Sequence, residues 1–280
     1  MLWKRVKHIL APGGGELAEI LPNVLCAALK PARARVMGKK LYRRWKDQSG
    51  QLTPEQNLKW IETNVQDFAA LARRIDADLW IEAIAVEKRL KAHGEDILKC
   101  NKVVRTGIAD CGGGYYPLLY FVARHILPSY IVETGVAAGY SSQAFLEAIE
   151  ANGKGRLFST DFPLFRGHDP QHAVGILVDE RLKKFWELHM EGDELGLPSI
   201  ARKIPKVDMF HYDSDKSYRG RSFAVSAIKA LLHPRSVFVM DDIQDDSFFH
   251  DYVKEEQRSD FSVFMFSGKY VGVLGSIDYS

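Results

Sequence analysis

Two stretches of this 280-residue chain hold acids and glycines of the types and spacing that cofactor binding and group transfer need. The first runs from Ile131 to Ser142, where Val132-Glu133-Thr134 is followed by Gly135, then Gly139, then Tyr140-Ser141-Ser142. Glycines in such a turn let a ligand approach the backbone, and the free N–H groups of the next helix attract an anion such as a carboxylate. Two glycines four residues apart also serve plain strand-to-helix turns, so this stretch gains its meaning from its surroundings. Asp161 closes the next apolar run, 28 positions beyond Glu133, where an acid in a nucleotide-type fold takes a pair of ribose hydroxyls. In the second stretch the run Val207–Tyr212 leads into Asp213, and Ser236–Met240 leads into Asp241 and Asp242, with Asp213 and Asp241 also 28 positions apart. That gap holds one helix and one strand, which puts both strand ends on the carboxyl edge where open α/β sheets bind ligands. Three converging carboxylates suit a hard divalent cation, Mg2+ first, whereas as exposed caps of the following helices they need no ion. A phosphate-binding P-loop is excluded because no Gly-Lys-Ser/Thr follows the glycines, and a nicotinamide site is disfavoured because Gly-x-Gly-x-x-Gly is absent.

The elements that must position these residues follow from the apolar pattern. Strands are expected at Tyr130–Glu133, Arg156–Thr160, Val207–Tyr212, Ser236–Met240, Phe261–Phe266 and Lys269–Leu274, with a weaker one near Leu188–Glu191. Helices at about Ser141–Ala151, Asp179–Trp186, Tyr218–Leu232 and Asp246–Glu256 separate the earlier strands, which implies right-handed crossovers and a parallel sheet. Ser267-Gly268 is too short for a crossover, so the last two strands form an antiparallel hairpin. The fold class is therefore α/β, a mostly parallel seven-stranded sheet with an antiparallel C-terminal hairpin, preceded by helices. One helix starts at Thr53-Pro54-Glu55-Gln56, with a capping pair and an N-terminal proline, and is expected to run to about Ile75. A second, from Ala77, is expected to stop at Gly94. The division expected is a basic arm over 1–50, a helical cap over 51–112 and a catalytic domain over 113–280.

From about Gly113 to Gly275 the chain resembles the class I S-adenosylmethionine-dependent methyltransferases, and within them the macrocin-type sugar O-methyltransferases. The likeness rests on the Val132–Ser142 stretch, on the strand ending at Asp161, on Tyr212–Gly220 with its following helix, and on Val237–Ile243. It implies a Rossmann-like sheet and S-adenosylmethionine as cofactor, with Glu133, Gly135 and Gly139 beside the methionine moiety, Ser141 at the helix entry, Asp161 on ribose, and Gly192-Asp193 near adenine. It also implies Asp213, Asp241 and Asp242 as ligands of a divalent ion, Mg2+. Where the family reads Asp-x-Asp-His-Ser-Tyr, this chain has Asp213-Ser214-Asp215-Lys216-Ser217-Tyr218. Methyl transfer from a sulfonium is an in-line displacement, and an alcohol attacks well only as its proton leaves. A metal ion can orient the hydroxyl and lower its pKa. A lysine, ordinarily at ~10.4, accepts that proton only if desolvated or placed beside positive charge. Lys216, with Asp213, is thus the expected catalytic pair, Lys216 as base or as an electrostatic clamp. Tyr115, Tyr116, the 162–169 loop and Arg219 are weaker candidates for acceptor contacts, and His172 and His250 are not expected to be ligands. The expected acceptor is a hydroxyl of a sugar, glycan or glycosylated small molecule. A catechol or phenol, or a non-catalytic binding protein of the same fold, are the alternatives.

Composition agrees with a folded enzyme: 46% hydrophobic and 26% charged residues exclude disordered and fibrous classes. A formal charge of +2 conceals an uneven distribution, because residues 1–50 hold eleven Lys/Arg against Glu16, Glu19 and Asp47, a net +8 that leaves −6 for the rest. Such an arm packs on its own acidic body, links subunits of a homo-oligomer, or meets an anionic membrane or polymer. Nucleic acid is not an expected partner, since no Asn-Pro-Pro-Tyr or cysteine-nucleophile motif supports base chemistry. Three cysteines, Cys26, Cys100 and Cys111, form no metal or disulfide pattern, which fits a reducing, cytoplasmic setting. No apolar run reaches the ~18–20 residues of a membrane span, and the charged start makes a poor secretory signal.

Overall fold

The computed structural model describes residues 34–36, 38–39, 42, 47, 50–99, 114–162 and 170–277. The three cysteines, Gly112-Gly113, most of the basic arm and residues 163–169 lie outside them. The first helix, α1, spans Pro54–Asn64 and opens with the reciprocal Thr53–Gln56 capping box. It ends earlier than its periodicity indicates. Val65–Gln66 becomes a short strand, β1, paired in parallel with Val263 and Phe264, and Asp67 then caps a separate helix, α2, Phe68–Ile75. A tertiary pairing overrides local helix preference there. Helix α3, Ala77–Leu98, runs through Gly94 instead of stopping at it. This glycine serves close packing, because a Cβ on it would lie 1.8 Å from the Tyr140 hydroxyl.

After α4, Tyr116–Ile126, the strands and helices alternate. They are β2 Tyr130–Thr134, α5 Tyr140–Asn152, β3 Arg156–Thr160, β4 Trp186–His189, α6 Asp193–Ala201, β5 Val207–Tyr212, α7 Tyr218–Ile228, β6 Leu232–Met240, α8 Phe248–Glu255, β7 Phe261–Phe266 and β8 Lys269–Leu274. The seven expected strands all form, the weak one two residues earlier than its pattern, and β1 adds an eighth. The helix expected at Asp179–Trp186 is a tighter 3-10 segment, Glu180–Phe185, and α6 is a helix that the apolar pattern did not reveal. Strand order is β1-β7-β8-β6-β5-β2-β3-β4, parallel except for β8, which runs antiparallel to both neighbours.

Chain order reverses between β2 and β5, whose pairing sets Glu133 against His211 and Thr134 against Tyr212. A crevice opens at such a switch point, outside the carboxyl ends of the strands. Gly135 sits at its lip with φ 79°, and a Cβ there would come within 2.3 Å of the Asp213 carbonyl oxygen. The two faces of the sheet carry separate apolar layers. Phe68, Trp80, Phe121, Phe145 and Val239 fill one, and Ile61, Phe210, Tyr212, Met240 and Phe249 fill the other. Helices α1 to α3 thus contribute to the layers that cover the sheet. Among the described residues, no helix is long and apolar enough to cross a membrane.

Candidate active site

Each acid of the first half-site is fixed by donors that its neighbouring elements bring. Glu133, at the buried end of β2, accepts hydrogen bonds from the Ser141 and Ser142 hydroxyls (both 2.6 Å) and from Ser159 on β3 (2.7 Å). Its carboxylate therefore locks the entry of α5 to the sheet, and the Ser141 hydroxyl is engaged in doing so. Gly139 caps α5 in the left-handed region at φ 99°, 3.0 Å short of the Gly175 Cα for any added Cβ. Asp161 accepts from the backbone N–H groups of Val136 (2.8 Å) and Ala137 (2.7 Å), which holds the glycine loop in shape. Asp193 opens α6 and accepts from Thr160 Oγ1 (2.6 Å) and from the Ser214 hydroxyl. The structure thus gathers Glu133, Gly135, Gly139, Ser141, Asp161 and Asp193 around the ends of β2 and β3, as a loop of backbone amides framed by three acids.

The second half-site lies across the switch point. Lys216 forms ion pairs with Asp213 and with Asp242 Oδ2 (3.0 Å), and Lys269 reaches Asp242 Oδ1 at 3.2 Å. Burial pushes the Asp213 carboxyl up to about 6, against the opposing pull of Lys216. Burial also works against the Asp242 charge, but the two lysines outweigh it and hold that carboxyl at about 2. For Lys216 itself, burial disfavours the ammonium, yet Asp213, Asp242 and Asp241 prevail and push its pKa above the ordinary lysine value. Asp242 adopts φ 54°, a left-handed conformation uncommon outside glycine.

Two residues that sequence reasoning missed complete this half. His211 is fully buried, with Nδ1 3.7 Å from Glu133 Oε1 and Nε2 3.5 Å from Asp241 Oδ2, and with its ring edge-on to Phe145. Burial disfavours its charge, but Asp241 and Glu133 raise its pKa to about 10. The alternation of a strand was the available signal, since residues two apart on β5 share a face and His211 precedes Asp213 by two. One ligand atom each from His211, Asp213 and Asp241 lie within 4.8 Å of one another, and among the described residues this is the group of three that closes so tightly. A divalent ion fits it, because Asp241 Oδ1 and both His211 ring nitrogens are buried without a hydrogen-bond partner. Asp242 is instead held by the lysines. Arg221, also fully buried, donates to the carbonyl oxygens of Asp241 (2.9 Å) and Asp242 (2.8 Å) and pairs with Asp246 (3.2 Å).

Gly114 borders these groups, whereas Tyr115 and Tyr116 join the apolar layer of α3 and α4 instead of lining the site. Gly114 has no room for a side chain, since a Cβ would sit 2.1 Å from Asp241 Oδ2 and 3.2 Å from His211 Nε2. The next residues, Tyr115 and Tyr116, stack on Phe266 (4.4 Å) and Tyr140 (5.5 Å) respectively. The described part of the arm reaches both half-sites. Lys39 pairs with Glu194 at the start of α6 (2.8 Å), and Asp47 accepts from the Tyr218 and Arg219 N–H groups at the start of α7 (3.3 and 3.4 Å). His250 pairs with Asp251 at 2.7 Å on α8.

Residues 132–243, which hold these acids from Glu133 to Asp242, match the family described as Methyltransferase domain. A comparison with curated proteins finds no match. Among solved structures, the chain is similar to the O-methyltransferase TomG from Streptomyces achromogenes involved in tomaymycin synthesis, solved with SAM. Identity is 20% and the TM-score 0.48, over 69% of this chain and 89% of that one. It is similar to a methyltransferase from Geobacter sulfurreducens at 20% identity and TM-score 0.47, over 67% and 89%. A third likeness, 12% identical with TM-score 0.49 over 68% and 90%, is to a protein from Klebsiella pneumoniae. These likenesses carry no residue role to this chain. The matched segment, which holds the glycine loop and the edge of acids, is thus similar to the methyltransferase domain family.

Proposed function

We propose that this chain transfers the methyl group of S-adenosylmethionine to a hydroxyl of a sugar, glycan or glycosylated small molecule. One observation carries the reading: a glycine loop framed by acids and a carboxylate cluster face each other across one switch point of the sheet. The cofactor lies on the β2–β3 side, over Gly135 and Gly139, and the acceptor lies over Asp213. As the carbon–sulfur bond breaks and the carbon–oxygen bond forms, the proton leaves the acceptor oxygen. That proton passes to water at the mouth of the site, where Asp213, half-buried, orients the acceptor oxygen. Lys216 acts as the clamp: with its ammonium between Asp213 and Asp242 it holds both carboxylates in place and lends positive charge to the acceptor oxygen. A divalent ion such as Mg2+, bound at Asp213 and Asp241, would supply Lewis-acid polarisation of the acceptor hydroxyl.

Lys39 and Asp47, among the described residues of the arm, contact the starts of α6 and α7 on the two sides of the switch point. Calorimetry with S-adenosylhomocysteine is expected to show one binding site per chain, and absence of binding would sink the cofactor assignment. Turnover of sugar acceptors but not catechols would select the first acceptor class, and the reverse pattern would select the second.

Lys216→Ala is expected to lower kcat by about 10²-fold, the loss typical of removing one charge-stabilising donor, while leaving S-adenosylhomocysteine affinity unchanged. Lys216→His is expected not to restore the rate. Full turnover in both variants would remove the clamp role.

A further inference from the structure

The ligand set of the divalent ion can be taken further, on the footing of the metal reading just given. We propose that His211 Nε2 binds the ion together with Asp213 and Asp241, while Lys216 and Lys269 keep Asp242 off it, so that the site prefers an ion accepting nitrogen, of the Mn2+, Co2+ or Zn2+ class, over Mg2+.

Three observations converge on this. His211 and Asp241 are buried side chains that face each other, Nε2 to Oδ2 at 3.5 Å, and among their buried polar atoms His211 Nε2 and Asp241 Oδ1 have no hydrogen-bond partner. Buried polar atoms are rarely left so, and an ion bridging His211 Nε2 and Asp241 removes the cost of desolvating those two groups. Asp242, in contrast, has both carboxylate oxygens occupied, Oδ2 by Lys216 (3.0 Å) and Oδ1 by Lys269 (3.2 Å) with Gln244 Nε2 at 3.3 Å. Its main chain is equally constrained, because Arg221 holds its carbonyl and its φ is 54°. Finally, Glu133 Oε1 lies 3.7 Å from His211 Nδ1, on the side of the ring away from Asp241. A carboxylate behind a ligating imidazole orients the ring and raises its basicity, the usual outer partner of a metal-bound histidine.

The mixed nitrogen and oxygen donors set the preference, since imidazole suits the later first-row ions while Mg2+ favours oxygen alone. The ion takes the place of an imidazole proton, which leaves to solvent. It then connects the half-sites: two residues, His211 and Glu133, link it to the Ser141 and Ser142 hydroxyls that fix the α5 entry.

The test uses the full chain with Mn2+ as the only added ligand, read by pulsed electron paramagnetic resonance. Strong coupling to a directly bound 14N is expected, and growth on 15N-histidine should convert it to the 15N pattern in the unmutated protein, which requires no variant to fold. Asp242→Asn should keep the nitrogen coupling. His211→Gln, checked for folding by S-adenosylhomocysteine binding, should lose the coupling and weaken Mn2+ affinity by roughly tenfold or more. Bound Mn2+ without nitrogen coupling overturns this ligand set and leaves the metal reading standing. No Mn2+ binding at all overturns both, and S-adenosylhomocysteine calorimetry remains a separate measure of the methyltransferase reading.

Discussion

Arg221→Met is expected to lower the melting temperature by about 10 °C, the largest effect of any single substitution outside the apolar layers. The guanidinium is fully buried and serves three acceptors on the loop after β6: the carbonyls of Asp241 and Asp242 and the carboxylate of Asp246. It also lies 5.8 Å over the Tyr212 ring. Methionine fills much of the volume but leaves Asp246 as a buried carboxylate without its cation, a loss of about 3–5 kcal/mol. At roughly 2–4 °C per kcal/mol for a domain of this size, that gives the predicted shift. The loop depends on this anchor because Asp242 holds a left-handed backbone, a conformation that persists only where its surroundings over-determine it. On the other side of the loop Asn57 of α1 donates to the carbonyls of Ile243 (3.1 Å) and Asp246 (2.9 Å). Arg221→Lys should fall between, since one ammonium cannot reach three acceptors in fork geometry. A thermal scan showing Arg221→Met within 2 °C of the parent, on the order of the smallest shift one kcal/mol produces, would refute the anchoring role.

Glu133→Gln is expected to weaken S-adenosylhomocysteine binding by about 10–100-fold, equivalent to roughly 1.4–2.8 kcal/mol. The carboxylate receives three hydroxyl donors and faces His211 from 3.7 Å. Hydrogen bonds to a charged group contribute about 1.5–3 kcal/mol each, so an amide that carries no charge and offers one acceptor oxygen cannot replace them. Ser141 and Ser142 then lose the tie that sets the first turn of α5, where the proposed function puts the cofactor carboxylate against free N–H groups. Calorimetry on the folded variant decides it: affinity within twofold of the parent would mean that Glu133 supports the fold alone.

Much of this architecture was readable before any coordinate. Short apolar runs of five or six residues, separated by helix-length gaps, named the strands, and Ser267-Gly268 forced the hairpin because a two-residue connection cannot cross a sheet. The acids were visible for the same reason: a polar residue at the end of an apolar run marks the strand's carboxyl edge. Legibility ended where a residue's role depends on a distant partner. Gly94 reads as a helix stop and is instead a contact point for Tyr140. Val65-Gln66 reads as mid-helix and is instead the sheet's edge, because β7 offers it hydrogen bonds.

The sequence by itself determined the element order, the hairpin and the set of acids at the strand ends, since these follow from local periodicity and connection length. Only the tertiary structure decided what each acid does. Glu133 is saturated by serines from α5 and β3, Asp242 is held by Lys216 and Lys269, and Asp241 faces a histidine that attracted no notice in the sequence. Those partners lie tens of residues apart along the chain, and their distances are fixed by strand order and register across the sheet, which no local pattern encodes.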